Sequence, residues 1–335
     1  MRKLSFCLLN FLIFLTVAFF GIGPITAGAE GRCVYIGGNT AGFTLNLGGV
    51  QIVALCEVAT GDGAKCPAQE SGLKSGDILL AADGVKIDGQ ETLNRILAKS
   101  EGKKIVLTVR RESGEFTKAI TPQKDAKGKY KIGVLIRDKV SGIGTVTYID
   151  KESGRFGALG HPVLDERENI MTVDKGKVYE CSIVSVNRGV RGKAGELKGL
   201  FVGEGDFGVS DTLNECGLFG TVNENFDYSG YVKAEVGGTD TAHPGEAFIY
   251  STVNGLQCEK FSVSIVKVDK ENEENKNYVL KITDKNLIRR TGGIVQGMSG
   301  SPIVQDGKLV GAVTHVFLND PTRGYGIGIE RMLGN

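Results

Sequence analysis

Residues 297–315 read GMSGSPIVQDGKLVGAVTH, and the rest of the chain is read outward from them. Asp306-Gly307 between two apolar runs is the sequence of a β-hairpin turn. Just before the hairpin, Ser299 stands between Gly297 and Gly300. Glycine on either side lets the backbone turn sharply, which exposes the Ser299 hydroxyl at a rigid strand end. Such a turn also aims the amides of Gly297 and Ser299 at one point in front of the hydroxyl, the arrangement of an oxyanion hole. The plainer alternative is an ordinary glycine- and serine-rich β turn.

A serine hydroxyl needs a neighbouring base to act as a nucleophile, and the chain has three histidines. His161 lies in GALGHPVLD (157–165), directly after a strand-like segment, with Gly160 and Pro162 fixing a turn at the strand end. It is the preferred base. His315 follows an apolar strand 16 residues beyond Ser299, so it either faces the same cleft or packs in the barrel. His243, in a polar TAHPG loop, reads as a surface residue. For an orienting carboxylate, Asp284 ends the strand-like segment YVLKIT (278–283) and is favoured. Asp165 sits too close to His161 in sequence, and Asp306 and Asp320 read as turn residues. No metal or organic cofactor is expected, because no H-E-x-x-H or paired C-x-x-C spacing occurs.

The chain has 335 residues, 41% of them apolar and 24% charged, with a formal net charge of +1. It is long enough for two cores, and nothing in its charge invites nucleic acid. With 49 glycines and no tryptophan, it suits a turn-rich β protein. Short β-like segments separated by glycine follow residue 141, as expected of a sandwich or barrel. At the start, Arg2 and Lys3 precede an apolar run over residues 4–22 and the small-residue site Ala27-Gly28-Ala29, a secretory pattern. The run would reach roughly 28 Å as a helix, so an uncleaved anchor is equally open. Both alternatives place residues 30–335 outside the cytoplasm. Of seven cysteines, Cys7 lies in this leader. The other six permit disulfides or free thiols, and Cys56 with Cys66 is the first pair to test. GEGDFG (203–208) fits a dinucleotide fingerprint by letter only, since no helix follows it.

Between residues 35 and 136, FTLNL (43–47) and VQIVAL (50–55) look like short strands broken by Gly48-Gly49. The segment SGLKSGDILLAADGVKI (71–87) then combines a Gly76-Asp77 turn with a hairpin signal at Asp83-Gly84. Leu93, Ile96 and Leu97 follow at helical spacing. This order resembles a PDZ domain. The resemblance implies a peptide-binding loop, best placed at Ala41, Gly42 and Phe43, with the adjacent strand edge pairing the peptide. The chain thus divides into a leader (1–29), a PDZ domain (35–136) and a second domain (137–335).

The pieces GIGTVTYID, RFGALGHPVLD and the block from Gly292 to Leu333, with a PDZ domain ahead of them, resemble the stage IV sporulation protein B family of serine peptidases. That resemblance implies a mainly β chain, with a chymotrypsin-like double β-barrel following the PDZ domain. It implies Ser299 as nucleophile, His161 as base and Asp284 as acid. It further implies an exported, membrane-associated enzyme working between forespore and mother cell. Such an enzyme cleaves its own N-terminal segment and a membrane-bound regulator of an intramembrane metalloprotease, leading to sigma factor activation.

Overall fold

The computed structural model describes residues 31–334 except 113, 166, 167, 169, 172 and 204–206. The expected leader and the centre of the 203–208 glycine loop lie outside the described residues. Two strands of 16 residues, Thr40–Leu55 and Val134–Ile149, organise the rest. They pair antiparallel from Thr40↔Thr145 to Leu55↔Val134, with register shifts at Leu135/Ile136 and Arg137/Lys139. Such bulges bend a ribbon, and here one end of the ribbon builds a barrel while the other builds the PDZ domain.

The first barrel is a closed ring of six strands. Thr40–Leu55 pairs with Val134–Ile149, then come Arg155–Ala158, Gly217–Val222, Gly208–Asn214 and Gly176–Asn187, which returns to Thr40–Leu55. Phe43, Leu45, Val146, Phe156, Val178 and Leu218 fill it. The second ring runs Gly245–Thr252, Cys258–Val268, Tyr278–Ile282, Asp320–Gly328, Lys308–Phe317 and Pro302–Gln305, closing on Gly245–Thr252. Ile249, Phe261, Tyr278, Leu280, Ile303 and Val313 fill this second barrel. Closure leaves neither sheet with an open edge around its core. The Asp306-Gly307 hairpin is present as read, with both residues at positive φ (50° and 79°), as a type I′ turn requires.

The PDZ core joins the far end of the ribbon to Ile78–Ala82, Ile105–Arg111 and Gly114–Ile120. The Gln90–Ser100 helix packs Leu93 and Leu97 into it. Asp83 and Gly84 again turn the chain with positive φ. One boundary needs correction. Residues 35–47, expected to open the PDZ domain, pair instead with strands of the first barrel and with Lys233–Val236. Cys33–Ile36 pairs with Val134–Ile149 and Lys233–Val236, and Gly48-Gly49 does not break the strand. A β-carbon on Gly49 would meet the Leu79 carbonyl oxygen at 2.5 Å, so the glycine permits a close crossing within one continuous strand.

Asp77 is fully buried, and it accepts from Arg111 Nε at 2.7 Å, Arg111 Nη2 at 2.8 Å and Lys74 N at 2.8 Å. The ion pair raises the Arg111 pKa, chiefly through the Asp77 hydrogen bonds. Arg111→Ala strands a buried carboxylate and should cost about 3 kcal/mol, the low end for such a loss because Arg111 itself reaches solvent. Urea unfolding measures this, and a change below about 0.5 kcal/mol would contradict it.

Candidate active site

The loop between the Lys285–Thr291 helix and the second-barrel hairpin is tied down by its own amides. Gln296 N donates to Gly195 O, Met298 N to Val295 O, Gly300 N to Val313 O and Ser301 N to Met298 O. Among the described residues, the amides of Gly297 and Ser299 have no acceptor. Both belong to a loop whose carbonyls are clamped from the first barrel. Thr145 N donates to Ser299 O at 2.9 Å, Thr145 Oγ1 to Gly297 O at 2.8 Å and Thr147 Oγ1 to Gly300 O at 2.8 Å. Gly297 and Gly300 take φ of 96° and 95°, a region that other residues enter only at a cost. A β-carbon on Gly300 would also collide with the Thr145 carbonyl.

His161 follows the Arg155–Ala158 strand through Leu159 and Gly160, both at positive φ (70° and 71°). A leucine in that conformation is strained, as is common beside functional groups. His161 Nδ1 lies 2.7 Å from Pro162 O. A carbonyl can only accept, so Nδ1 carries the proton and Nε2 is free to act as base. Burial lowers the His161 pKa, partly opposed by the Pro162 bond. The His315 ring lies 5.2 Å from that of His161. Loss of solvation at the ring, then the neighbouring His161 and Lys276, lowers His315 to about 4, although the residue as a whole is exposed.

Ser299, His161 and His315 line one cavity of about 510 Å³, otherwise walled by apolar groups such as Ile143, Leu159, Ile294, Val295 and Val316. The Ser299 hydroxyl donates to Thr314 O at 2.9 Å. It is not bonded to the imidazole. Thr314 and His315 sit where the pairing of Lys308–Phe317 with Asp320–Gly328 slips between Val313 and Val316. This irregularity is where the Thr314 carbonyl comes to meet Ser299. Thr314 Oγ1 is buried without a partner among the described residues. The sequence reading missed Thr314, which carries no motif of its own.

Asp284 is placed elsewhere than expected. It is the N-cap of the Lys285–Thr291 helix, its Oδ1 accepting from Leu287 N at 2.9 Å. It makes no hydrogen bond with His161 and does not line the cavity. Strand end and helix start coincide at this aspartate, and capping satisfies an amide that would otherwise be orphaned. Asp165, Asp306 and Asp320 do not line the cavity either. Asp306 instead accepts from exposed His243, 2.9 Å away.

The peptide-binding expectation at Ala41, Gly42 and Phe43 is also corrected. These residues pair on one side with Gly144, Ile143 and Gly142 and on the other with Glu180, Tyr179 and Val178. With both edges used, no peptide can add there. The PDZ groove lies instead between the Gln90–Ser100 helix and the start of Val134–Ile149. It is a cavity of about 440 Å³ lined by Leu93, Leu97, Ile132, Val134 and Ile136, with Glu57, Asp125, Lys127 and Lys131 as its charged wall residues. The amides of Ile132 and Gly133 have no acceptor among the described residues. The signal that could have found it is Ile132-Gly133-Val134, an apolar-Gly-apolar turn before a strand.

If burial governs these imidazoles, an NMR titration will place the His161 midpoint below the ordinary 6.5 and His315 lower still, near 4. A His161 midpoint above 6.5 would contradict the burial described.

Residues 128–333 match the family described as SpoIVB peptidase S55, and residues 62–111 match the PDZ domain family. A protein of Lactococcus lactis subsp. lactis (strain IL1403) named as a zinc metalloprotease, LL2128, is 32% identical over 145 residues, 37% of this chain and 33% of that protein. A Clostridium perfringens (strain 13 / Type A) protein named likewise, CPE1693, is 34% identical over 68 residues, 20% of each. The chain thus spans only a third and a fifth of these relatives. Among solved structures, Rv3671c protease from M. tuberculosis in its active form covers 74% of this chain and 86% of its own, at 13% identity and a TM-score of 0.29. The PDZ domain of an SdrC-like protein from Listeria monocytogenes covers 26% and 86%, at 19% identity and a TM-score of 0.22. Both likenesses are remote. The first family match spans more than half of the residues, and the chain belongs to the SpoIVB peptidase S55 family and carries a match to the PDZ domain family.

Proposed function

We propose that Ser299 is the nucleophile and His161 the base of an exported endopeptidase with narrow specificity. One observation carries this reading: a serine and a half-buried imidazole share a cavity beside two amides that lack acceptors among the described residues. In the reaction the Ser299 hydroxyl leaves Thr314 O, passes its proton to His161 Nε2 and attacks the scissile carbonyl. The developing oxyanion is held by Gly297 N and Ser299 N. His161 then protonates the leaving amine, and water repeats the cycle on the acyl-enzyme. Pro162 O holds Nδ1–H throughout, so a backbone carbonyl fixes the tautomer where other serine peptidases use a carboxylate.

The cavity walls are uncharged and mostly apolar, so the residue on the acyl side of the cut is apolar. For the biological substrate, the support is the family resemblance. The enzyme cuts its own N-terminal segment and a membrane-bound regulator of an intramembrane metalloprotease during sporulation signalling. Among the described residues no helix is long and apolar enough to cross a membrane. The apolar run over residues 4–22 is the segment proposed to direct export and hold the enzyme at a membrane.

A fluorophosphonate probe should label the native chain and not Ser299→Ala, which should lose roughly 10⁶ in kcat. In a peptide library, cuts should follow apolar residues. Undiminished labelling of Ser299→Ala, or cutting after charged residues, would overturn this reading. Asp284→Asn keeps a helix cap and should retain activity within about threefold, whereas Asp284→Ala should lose about 1 kcal/mol of stability. A hundredfold activity loss in Asp284→Asn at unchanged melting temperature would put that carboxylate into the mechanism.

A further inference from the structure

One strand lines both cavities. Val134 and Ile136 of Val134–Ile149 face the PDZ groove, and Val140 and Ile143 of the same strand face the cavity at Ser299. One edge of this stretch is paired with Thr40–Leu55. The other edge, from Val134 to Ile143, has no strand partner among the described residues, since pairing with Arg155–Ala158 starts only at Val146. That open edge ends at the nucleophile, because Thr145 N donates to Ser299 O. At its other end stand the amides of Ile132 and Gly133, without acceptors among the described residues, in a cavity whose charged wall residues are Glu57, Asp125, Lys127 and Lys131.

An unpaired edge is a template for another strand. Two adjacent free amides opening into an apolar groove form a receptor for a carboxylate. A polypeptide whose C-terminus sits at Gly133 must therefore run antiparallel to Val134–Ile149, and its upstream residues pass along the edge toward Ile143. At about 3.3 Å per residue the stretch from Val134 to Ile143 spans about 30 Å. The register shifts at Leu135/Ile136 and Arg137/Lys139 bow the path without interrupting it.

We propose that the Val134–Ile143 edge is a rail for one extended polypeptide, its free carboxylate and apolar end in the PDZ groove and its scissile bond at Ser299. Cleavage then falls about nine to twelve residues upstream of a free C-terminus. The preferred substrate class is a polypeptide with an exposed C-terminal tail that ends in an apolar residue. The cut rests on the peptidase reading given above; the binding does not.

The test uses the full chain and synthetic peptides that share one apolar cleavage site and one apolar C-terminal residue. The site lies 4, 10 or 20 residues from the C-terminus, which is either a free acid or an amide. The 10-residue acid should exceed the 4-residue acid and the 10-residue amide at least about tenfold in kcat/KM, as expected when a second site raises effective concentration. In parallel, fluorescence anisotropy with Ser299→Ala should show the 10-residue acid binding about tenfold more tightly than its amide or either half alone. Cutting that ignores spacing and amidation, together with equal affinities for acid and amide, overturns the rail and leaves the peptidase standing. Acid-dependent, length-dependent binding with no cutting of any peptide overturns the peptidase and leaves the rail.

Discussion

Thr145 and Thr147 hold the molecule's two barrels together at the point where chemistry is possible. Each is fully buried, and each spends its hydroxyl on a carbonyl of the 297–300 loop. Buried carbonyls left unpaired are expensive, so these bonds are bound up with the shape of the loop. The Gly297 amide shares its peptide plane with Gln296 O, which accepts from Leu197 N. The Ser299 amide shares its plane with Met298 O, which accepts from Ser301 N. Each N–H thus points away from the bond that holds its carbonyl. Gly300 completes the fit, since any side chain there would strike the Thr145 carbonyl. The proposed oxyanion site thus depends on carbonyl bonds made to the loop by Leu197 and Ser301, while Thr145 and Thr147 hold the loop against the first barrel.

The proposed catalytic groups stand in a resting arrangement. Ser299 donates to a backbone carbonyl, His161 Nδ1 is bound to the carbonyl next door, and Leu159 stores strain between the two barrels. Rotation about one side-chain bond carries the Ser299 hydroxyl away from Thr314 O. The imidazole needs no carboxylate to keep its tautomer, because Pro162 O dictates it. The burial that favours neutral His161 also keeps the base available at mildly acidic pH.

Local signals were legible in the sequence. The Asp83-Gly84 and Asp306-Gly307 turns are fixed by two residues each, and Leu93 and Leu97 mark their helix by spacing alone. That Gly297, Ser299 and His161 come to line one cavity was legible because sharp turns demand glycine and a serine between them invites a nearby base. What depended on distant pairing was not readable. Gly48-Gly49 looks like a break, yet the strand continues because Leu79 passes close by. Gly42-Phe43 looks like a peptide-binding loop, yet residues 142–144 and 178–180 take both its edges. Asp284 looks like a strand-end acid, yet the helix starting beside it claims the carboxylate.

The central claim is a meeting of Ser299 Oγ, His161 Nε2 and two backbone amides around one reacting carbon. A crystal structure of the chain inactivated by a peptidyl phosphonate tests it most directly. The account predicts phosphorus bonded to Ser299 Oγ, and a phosphonyl oxygen about 2.7–3.1 Å from both Gly297 N and Ser299 N. His161 Nε2 would then face Oγ, while Thr314 O no longer receives the hydroxyl. An adduct whose oxygen points away from those amides, or one formed on a different residue, would contradict it.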